Sequence, residues 1–180
     1  GRGSSRAVSE EEMYQIVEEN PTYFDKISPT VTMTDTVKIG TESVSSTAAT
    51  GVSEDYFAIK GYGIAQGRGL EYVDIAARKK VCVVGEYVNH TYFDGDAVGQ
   101  TLKIGSNKFT IVGVMAQESD EMEEGGTDDC VYLPYSTAAR LSYTGTISNY
   151  TVTTVSEDMA SPAKAQLENE LYDIFQDDSA

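Results

Sequence analysis

Leu102-Lys103-Ile104-Gly105-Ser106-Asn107-Lys108-Phe109-Thr110-Ile111 is the stretch that decides the fold. Leu102 and Ile104 on one arm, and Phe109 and Ile111 on the other, alternate with polar residues. That is the period of a strand with one face in a core. Gly105-Ser106-Asn107 supplies the turn between the arms, so the stretch predicts a β-hairpin. The second arm runs on through Val112-Gly113-Val114-Met115.

Upstream of the hairpin, glycines at 61, 63, 67, 69, 85, 95 and 99 predict short strands and tight turns. Val81-Cys82-Val83-Val84 is a continuous apolar run, which predicts a strand covered on both faces. Glu86–Phe93 reads as a helix, with Val88, Tyr92 and Phe93 available to pack. Before Gly61 the character differs. Ser9 and Glu12 fit a capping box, and Met13, Ile16 and Val17 follow at helical spacing, predicting a helix over Ser9–Glu19 that Asn20-Pro21 ends. Ile27–Ile39 and Ser43–Val52 are rich in Thr, Val and Ser and predict strands around a Gly40 turn. Ser53 is placed to cap a short helix over Glu54–Ile59, anchored by Tyr56, Phe57 and Ile59.

Downstream of the hairpin, residues 118–129 hold seven acids and no base, and read as a solvated mobile loop. Cys130–Leu133 predicts a strand that Pro134 ends, and Ser136 is placed to cap a helix through Leu141. Ile147–Val155 is a Thr-rich strand. Ser161-Pro162 then opens a helix in which Leu167, Leu171, Ile174 and Phe175 form one apolar stripe. The predicted fold class is α+β in two lobes: an α/β lobe from both chain ends (1–60 and 146–180) and a β-rich insert (61–145).

Charge narrows the function. The 180 residues carry 13 bases against 29 acids, a net charge of −16. Nucleic-acid binding needs phosphates neutralised, so this balance excludes it. The same charge is repelled by an anionic bilayer and attracts cationic ligands, with loop 118–129 a candidate for cationic peptides. No run of about 18 apolar residues is present, and Gly1–Arg6 has no apolar signal-peptide core.

The search for chemistry yields no catalytic residue, no cofactor site and no metal site. His90 is the single histidine and lies in a polar helix, so it reads as a surface or packing residue. Gly61-Tyr62-Gly63 and Gly67-Arg68-Gly69 are too short for a phosphate loop. The acids of Glu118–Glu124, followed by Gly125-Gly126, offer oxygen ligands for calcium but match no EF-hand spacing. Cys82 and Cys130 read as buried free thiols acting as small hydrophobes, with a disulfide as the alternative if their strands are adjacent. Asn89-His90-Thr91 and Asn149-Tyr150-Thr151 match the glycosylation triplet.

One ordered set of motifs resembles the periplasmic core domain of MacB-like permeases, a branch of the MacB/FtsX class of ABC transporters. Gly51-Val52-Ser53-Glu54-Asp55-Tyr56-Phe57 looks like its "G-V-S-x-x-Y-F", and Gly67-Arg68 with Asp74 like its "G-R-x5-D". Val81–Glu86 with Gly85, Tyr92-Phe93, Val98-Gly99-Gln100 and Leu102-Lys103-Ile104 continue the series in order. Phe109–Val114 with Gly113 is similar to "F-x-V-V-G-V", and Val131-Tyr132-Leu133-Pro134 closes the set. The likeness covers about residues 9–175. Read physically, the residues Gly51, Gly67, Arg68, Asp74, Gly85, Gly99, Gln100, Phe109, Gly113 and Pro134 are architectural: turns, strand cores and a charge pair.

The resemblance implies a porter-like α/β lobe and a sabre-like β-rich insert. It implies a non-catalytic extracytoplasmic domain at a bacterial cell membrane, in a dimeric permease driven by a cytosolic ABC ATPase. It further implies docking of a membrane-fusion or adaptor protein, and export of a peptide, antibiotic or lipoprotein. The family's usual "G-x-N" strand is absent, the acidic loop falls in a variable region, and Cys82 and Cys130 stand where aliphatic residues are usual. Two other readings stay open on the residues alone: a stand-alone extracellular binding or adhesion module, and a hydrolase working through two carboxylates.

Overall fold

The computed structural model describes residues 8–142, 147 and 149–179. Helix α1 (Glu10–Glu19) starts at the predicted capping box. The Ser9 Oγ accepts from the Glu12 amide at 3.1 Å, and the Glu12 carboxylate accepts from the Ser9 amide at 2.9 Å. Three glutamates in the first turn suit the positive end of the helix dipole. Met13, Ile16 and Val17 are buried, and Asn20 closes the helix with its side-chain amide on the Ile16 carbonyl at 2.8 Å.

The chain continues as β1 (Phe24–Thr32), β2 (Val37–Ile39), β3 (Glu42–Val44), β4 (Ala48–Val52), α2 (Tyr56–Lys60), β5 (Ile64–Gly67) and α3 (Tyr72–Ala76). It goes on through β6 (Val81–Val84), α4 (Glu86–Phe93), β7 (Thr101–Ile104), β8 (Asn107–Met115), β9 (Cys130–Pro134) and α5 (Tyr135–Leu141). The last elements are β10 (Asn149–Thr154), a 3₁₀ turn (Glu157–Met159) and α6 (Ala160–Ser179). Helices on a mixed sheet make this an α+β fold, as the sequence predicts.

Two compact units divide the chain. Residues up to Ile27 join those from Val152 on, and Ser28–Thr151 form the larger unit. The composition change at Gly61 falls inside the larger unit, and the expected lobe boundary at 145/146 lies outside the described residues. In the smaller unit the Val155 amide bonds the Tyr23 carbonyl at 3.0 Å, and the Lys26 amide donates to the Thr153 hydroxyl at 3.0 Å.

In the larger unit the strand order is β1-β4-β9-β6-β8-β7-β2-β3, with β5 also on β8. The β4–β9 and β6–β8 pairs are parallel, and the other registered pairs are antiparallel. The predicted hairpin is β7–β8, with Leu102 opposite Phe109 and Ile104 opposite Asn107. Only Gly105 and Ser106 therefore form the turn, and Asn107 already belongs to the second arm. Gly105 sits at φ +61°, the left-handed region that glycine tolerates without strain. Leu102, Ile104, Phe109 and Ile111 are all shut into the core, and Cys82, Val83 and Val84 of β6 are inaccessible on both faces.

Three helix starts differ from expectation. Helix α2 begins at Tyr56, and the Ser53 hydroxyl accepts from the Asp55 amide in the turn before it. Pro134 precedes α5, while the Ser136 and Thr137 hydroxyls donate to the carbonyls of Ile75 (2.5 Å) and Lys79 (2.8 Å). These hydroxyls tie the helix to a neighbouring segment, where longer-range partners outcompete local capping. Helix α6 starts at Ala160, one residue before Ser161. Its stripe is only partly closed: Leu167, Leu171 and Ile174 are half-buried, and Phe175 is 41% exposed.

Candidate functional site

The family-motif residues do not meet at one point. Four of them do: Gly67, Arg68, Asp74 and Gly113 form a clamp between β5, β8 and α3. Asp74 is fully buried. Its carboxylate accepts from Arg68 Nη1 at 2.7 Å, Arg68 Nη2 at 3.3 Å and the Glu71 amide at 2.8 Å. Lys79 Nζ stands 3.9 Å away. Glu71 and Asp74 also cap the start of α3. Burial pushes the Asp74 carboxyl up, but the Arg68 hydrogen bonds, the Glu71 amide and the charges of Arg68 and Lys79 outweigh it and hold the carboxyl below its ordinary value.

The clamp closes because Gly113 has no side chain. A Cβ there would overlap the Arg68 carbonyl, and one on Gly67 would overlap the Val112 carbonyl. The close approach lets the Arg68 amide donate to the Val112 carbonyl at 2.9 Å. What the arrangement does is hold backbone; the Arg68 guanidinium that bonds Asp74 also donates to the Gly69 carbonyl at 3.0 Å.

The other motif residues are spread along the sheet. Gly51 of β4 faces α5, where an added Cβ would lie 2.9 Å from the Tyr135 Cα. Gly85 opens α4, and its amide donates to the Cys130 carbonyl at 2.9 Å. Gly99 lies in the turn before β7, the Gln100 side chain bonds the Asp96 carbonyl at 2.5 Å, Phe109 is inaccessible, and Pro134 joins β9 to α5.

The acidic segment is solvated over most of its length, as expected, with Glu118, Asp120, Glu121, Glu123 and Glu124 exposed, but its end is folded in. Asp128 and Asp129 are buried. Asp128 accepts from the amides of Glu118 (2.7 Å) and Ser119 (3.0 Å), folding the start of the segment onto its end. Asp129 accepts from the Ser46 hydroxyl (2.7 Å), the Thr47 hydroxyl (2.6 Å) and the Gly125 amide (2.9 Å). Two of the seven acids are thus internal ligands for backbone and hydroxyl donors. Among the described residues no group of three or more His, Cys, Asp or Glu is arranged to hold a metal ion.

Cys82 and Cys130 are both free and buried. Their strands are adjacent, but Val83 pairs with Tyr132 and Val84 with Val131. Side chains alternate along strands, so this register puts the two thiols on opposite faces of the sheet, and a disulfide has no path. Burial pushes the Cys130 thiol up to about 12, with Asp128 and Asp129 adding to the rise, and burial alone raises Cys82. His90 is exposed in the last turn of α4. Asn89 is buried and its Oδ1 accepts from the Ala97 amide at 3.0 Å, so that glycosylation triplet is closed.

Sequence reasoning missed an aromatic cluster. Tyr56, Phe57 and Tyr62 surround Tyr132, with ring centroids 5.3, 5.6 and 6.4 Å from it. Burial drives the Tyr132 phenol far above its ordinary value. Tyr56 and Phe57 were visible as anchors, but their partner lies across the parallel β4–β9 pair, which no local pattern reveals. In the smaller unit, Ile16 and Ile174 floor an open groove of about 210 Å³ edged by Glu12, Glu19, Glu170 and Asp173.

A family model described as the MacB-like periplasmic core domain matches residues 1–170. The chain belongs to that family. A macrolide export ATP-binding/permease protein MacB 1/2 of Paracoccus denitrificans is 34% identical over 123 residues, covering 68% of this chain and 18% of that protein. The macrolide export ATP-binding/permease protein MacB of Chromobacterium violaceum is 30% identical over 118 residues, 65% of this chain and 18% of that protein. The chain therefore spans under a fifth of the length of these relatives.

Solved structures share the fold. The periplasmic region of MacB from Actinobacillus actinomycetemcomitans superposes with a TM-score of 0.74 at 21% identity, over 89% of this chain and 73% of that one. The extracellular domain of the noncanonic ABC-type transporter YknZ gives 0.70 at 16% identity, over 87% and 78%. As a MacB-like periplasmic core domain, the chain is an extracytoplasmic domain of an ABC-transporter permease, set apart from the ATP-binding portion. No described helix is long and apolar enough to cross a membrane.

Proposed function

We propose that this domain transmits movement: ATP hydrolysis in the cytosolic part of a dimeric parent permease displaces it, and the displacement drives export and engages an adaptor protein. The family match over residues 1–170 carries this reading. The positions of the motif residues support it, because the clamp at Asp74 and the close contacts at Gly85 and Gly113 suit a body that moves without deforming. Helices α1 and α6, early and late in the sequence, lie in one compact unit, so force entering through either helix arrives at the same place. The cargo class is a peptide, antibiotic or lipoprotein, and the acidic charge favours cationic peptides among these.

The test is a distance measurement in the parent permease. Arg140 is exposed on α5, and both thiols of this domain are buried, so Arg140→Cys takes a spin label selectively in a parent permease whose cysteines outside this domain have been replaced. The interprotomer distance distribution is expected to shift between nucleotide-free and vanadate-trapped states. An unchanged distribution in a preparation that hydrolyses ATP overturns the coupling and leaves a stationary binding module.

A further inference from the structure

Three lysines stand in a row on the solvent face of the sheet. Lys38 of β2 is the register partner of Lys103 of β7, and Lys103 is the partner of Lys108 of β8. All three are exposed, while the residues alternating with them (Val37, Ile39, Leu102, Ile104, Phe109) are buried. Among the described residues, the ion pairs involve Lys26, Arg68 and Lys79, and none of the three row lysines joins a carboxylate.

Like charges directly opposite on a sheet repel. With 29 acids against 13 bases in the chain, alternating signs would be the ordinary outcome. Lysines also guard sheet edges. Yet β2, β7 and β8 each have neighbours on both sides, so edge protection does not account for this row. Strands lie about 5 Å apart, which roots the three lysine side chains at about that interval. Ser43, opposite Lys38, and the paired Thr101 and Thr110 add hydroxyls to the same face.

We infer that this row docks an acidic α-helix of a protein partner, one carrying carboxylates at i, i+4 and i+7. Such a helix presents side chains about 5–6 Å apart along one face, which fits the lysine spacing. An extended acidic segment offers same-side groups only every ~7 Å. A bilayer is disfavoured because it meets the whole domain, and the net charge is −16. A single helix lies within the row's own reach, about 8 Å at physiological salt. Ser43, Thr101 and Thr110 beside the row are polar, so the contact is electrostatic and quickly reversible. The inference deepens the adaptor-engagement part of the proposed function and rests on it.

The 180-residue chain is titrated at low salt against a fluorescein-labelled Ala/Gln helical peptide carrying Glu at i, i+4 and i+7. An isomer with the same glutamates distributed around the helix is the control. Anisotropy is expected to show binding of the first peptide over the isomer. The triple variant Lys38→Gln, Lys103→Gln, Lys108→Gln is expected to weaken binding about tenfold, each exposed pair contributing a factor of about two. The off-row triple Lys60→Gln, Arg140→Gln, Lys164→Gln removes the same net charge and is expected to change affinity far less. Equal losses in both variants, equal binding of the two peptides, absence of binding by the wild type, or row-dependent binding only to phosphatidylglycerol vesicles each overturn the proposal. The row variant is expected to melt no lower than wild type because repulsion is relieved, so lost binding is not lost folding. This assay contains no ATPase, so its failure leaves the movement reading intact.

Discussion

Asp74 has no water contact and instead answers three donors from Arg68 and Glu71. Replacing it with Asn removes the charge those donors were placed for. Breaking a buried pair costs about 3–5 kcal/mol, and the partial exposure of Arg68 lowers the expectation to about 2 kcal/mol. Urea denaturation of Asp74→Asn at neutral pH checks this. The pH dependence has a defined sign. The folded carboxyl is held below its ordinary value of 3.8, so its contribution is full above that value and is lost as pH falls through the lower folded value. The gap between wild type and Asp74→Asn is therefore expected to close in acid below 3.8. A gap that persists there would mean that shape, not charge, sets the cost.

At the scale of elements, the segment between β8 and β9 is held by its own acids. Asp128→Ala leaves the amides of Glu118 and Ser119 without their acceptor, a loss of about 1–3 kcal/mol confined to the segment. Hydrogen exchange at these two amides is expected to accelerate about tenfold or more, with the β6 amides unchanged. Uniform acceleration would instead mark the segment as part of the global core. This internal role was not legible in the sequence, because seven acids without a base look alike until the fold picks two of them. The capping box at Ser9, the helix over Glu86–Phe93 and the β7–β8 hairpin were legible, since each is decided by residues within a few positions of one another. Ser136 misled for the opposite reason: its hydroxyl went to Ile75, 61 positions away. The Arg68–Asp74 motif was readable as a charge pair, but its closeness to Gly113 depended on the β5–β8 pairing.

Across the whole molecule, two thiols report on integrity. Cys82 and Cys130 face opposite sides of the central strands and are shielded by burial, which also raises both pKa values. Reaction of a thiol reagent needs exposure and thiolate. The native protein is expected to react with neither, the denatured protein with both, and reductant to leave the melting temperature unchanged. Titration with a chromogenic disulfide reagent checks all three, and a reductant-sensitive melting temperature would revive the cross-link. The centre of the sheet has a further consequence, in time. β4 finds its parallel partner only when β9 has been made, 82 positions later by the Ala48–Cys130 register, and β6 must await β8. Contacts so distant close slowly, and until they close the waiting strands are bare edges. A sheet wired in this way cannot close at its centre while its first strands are being threaded out; the middle assembles only after the chain has been delivered as far as Pro134.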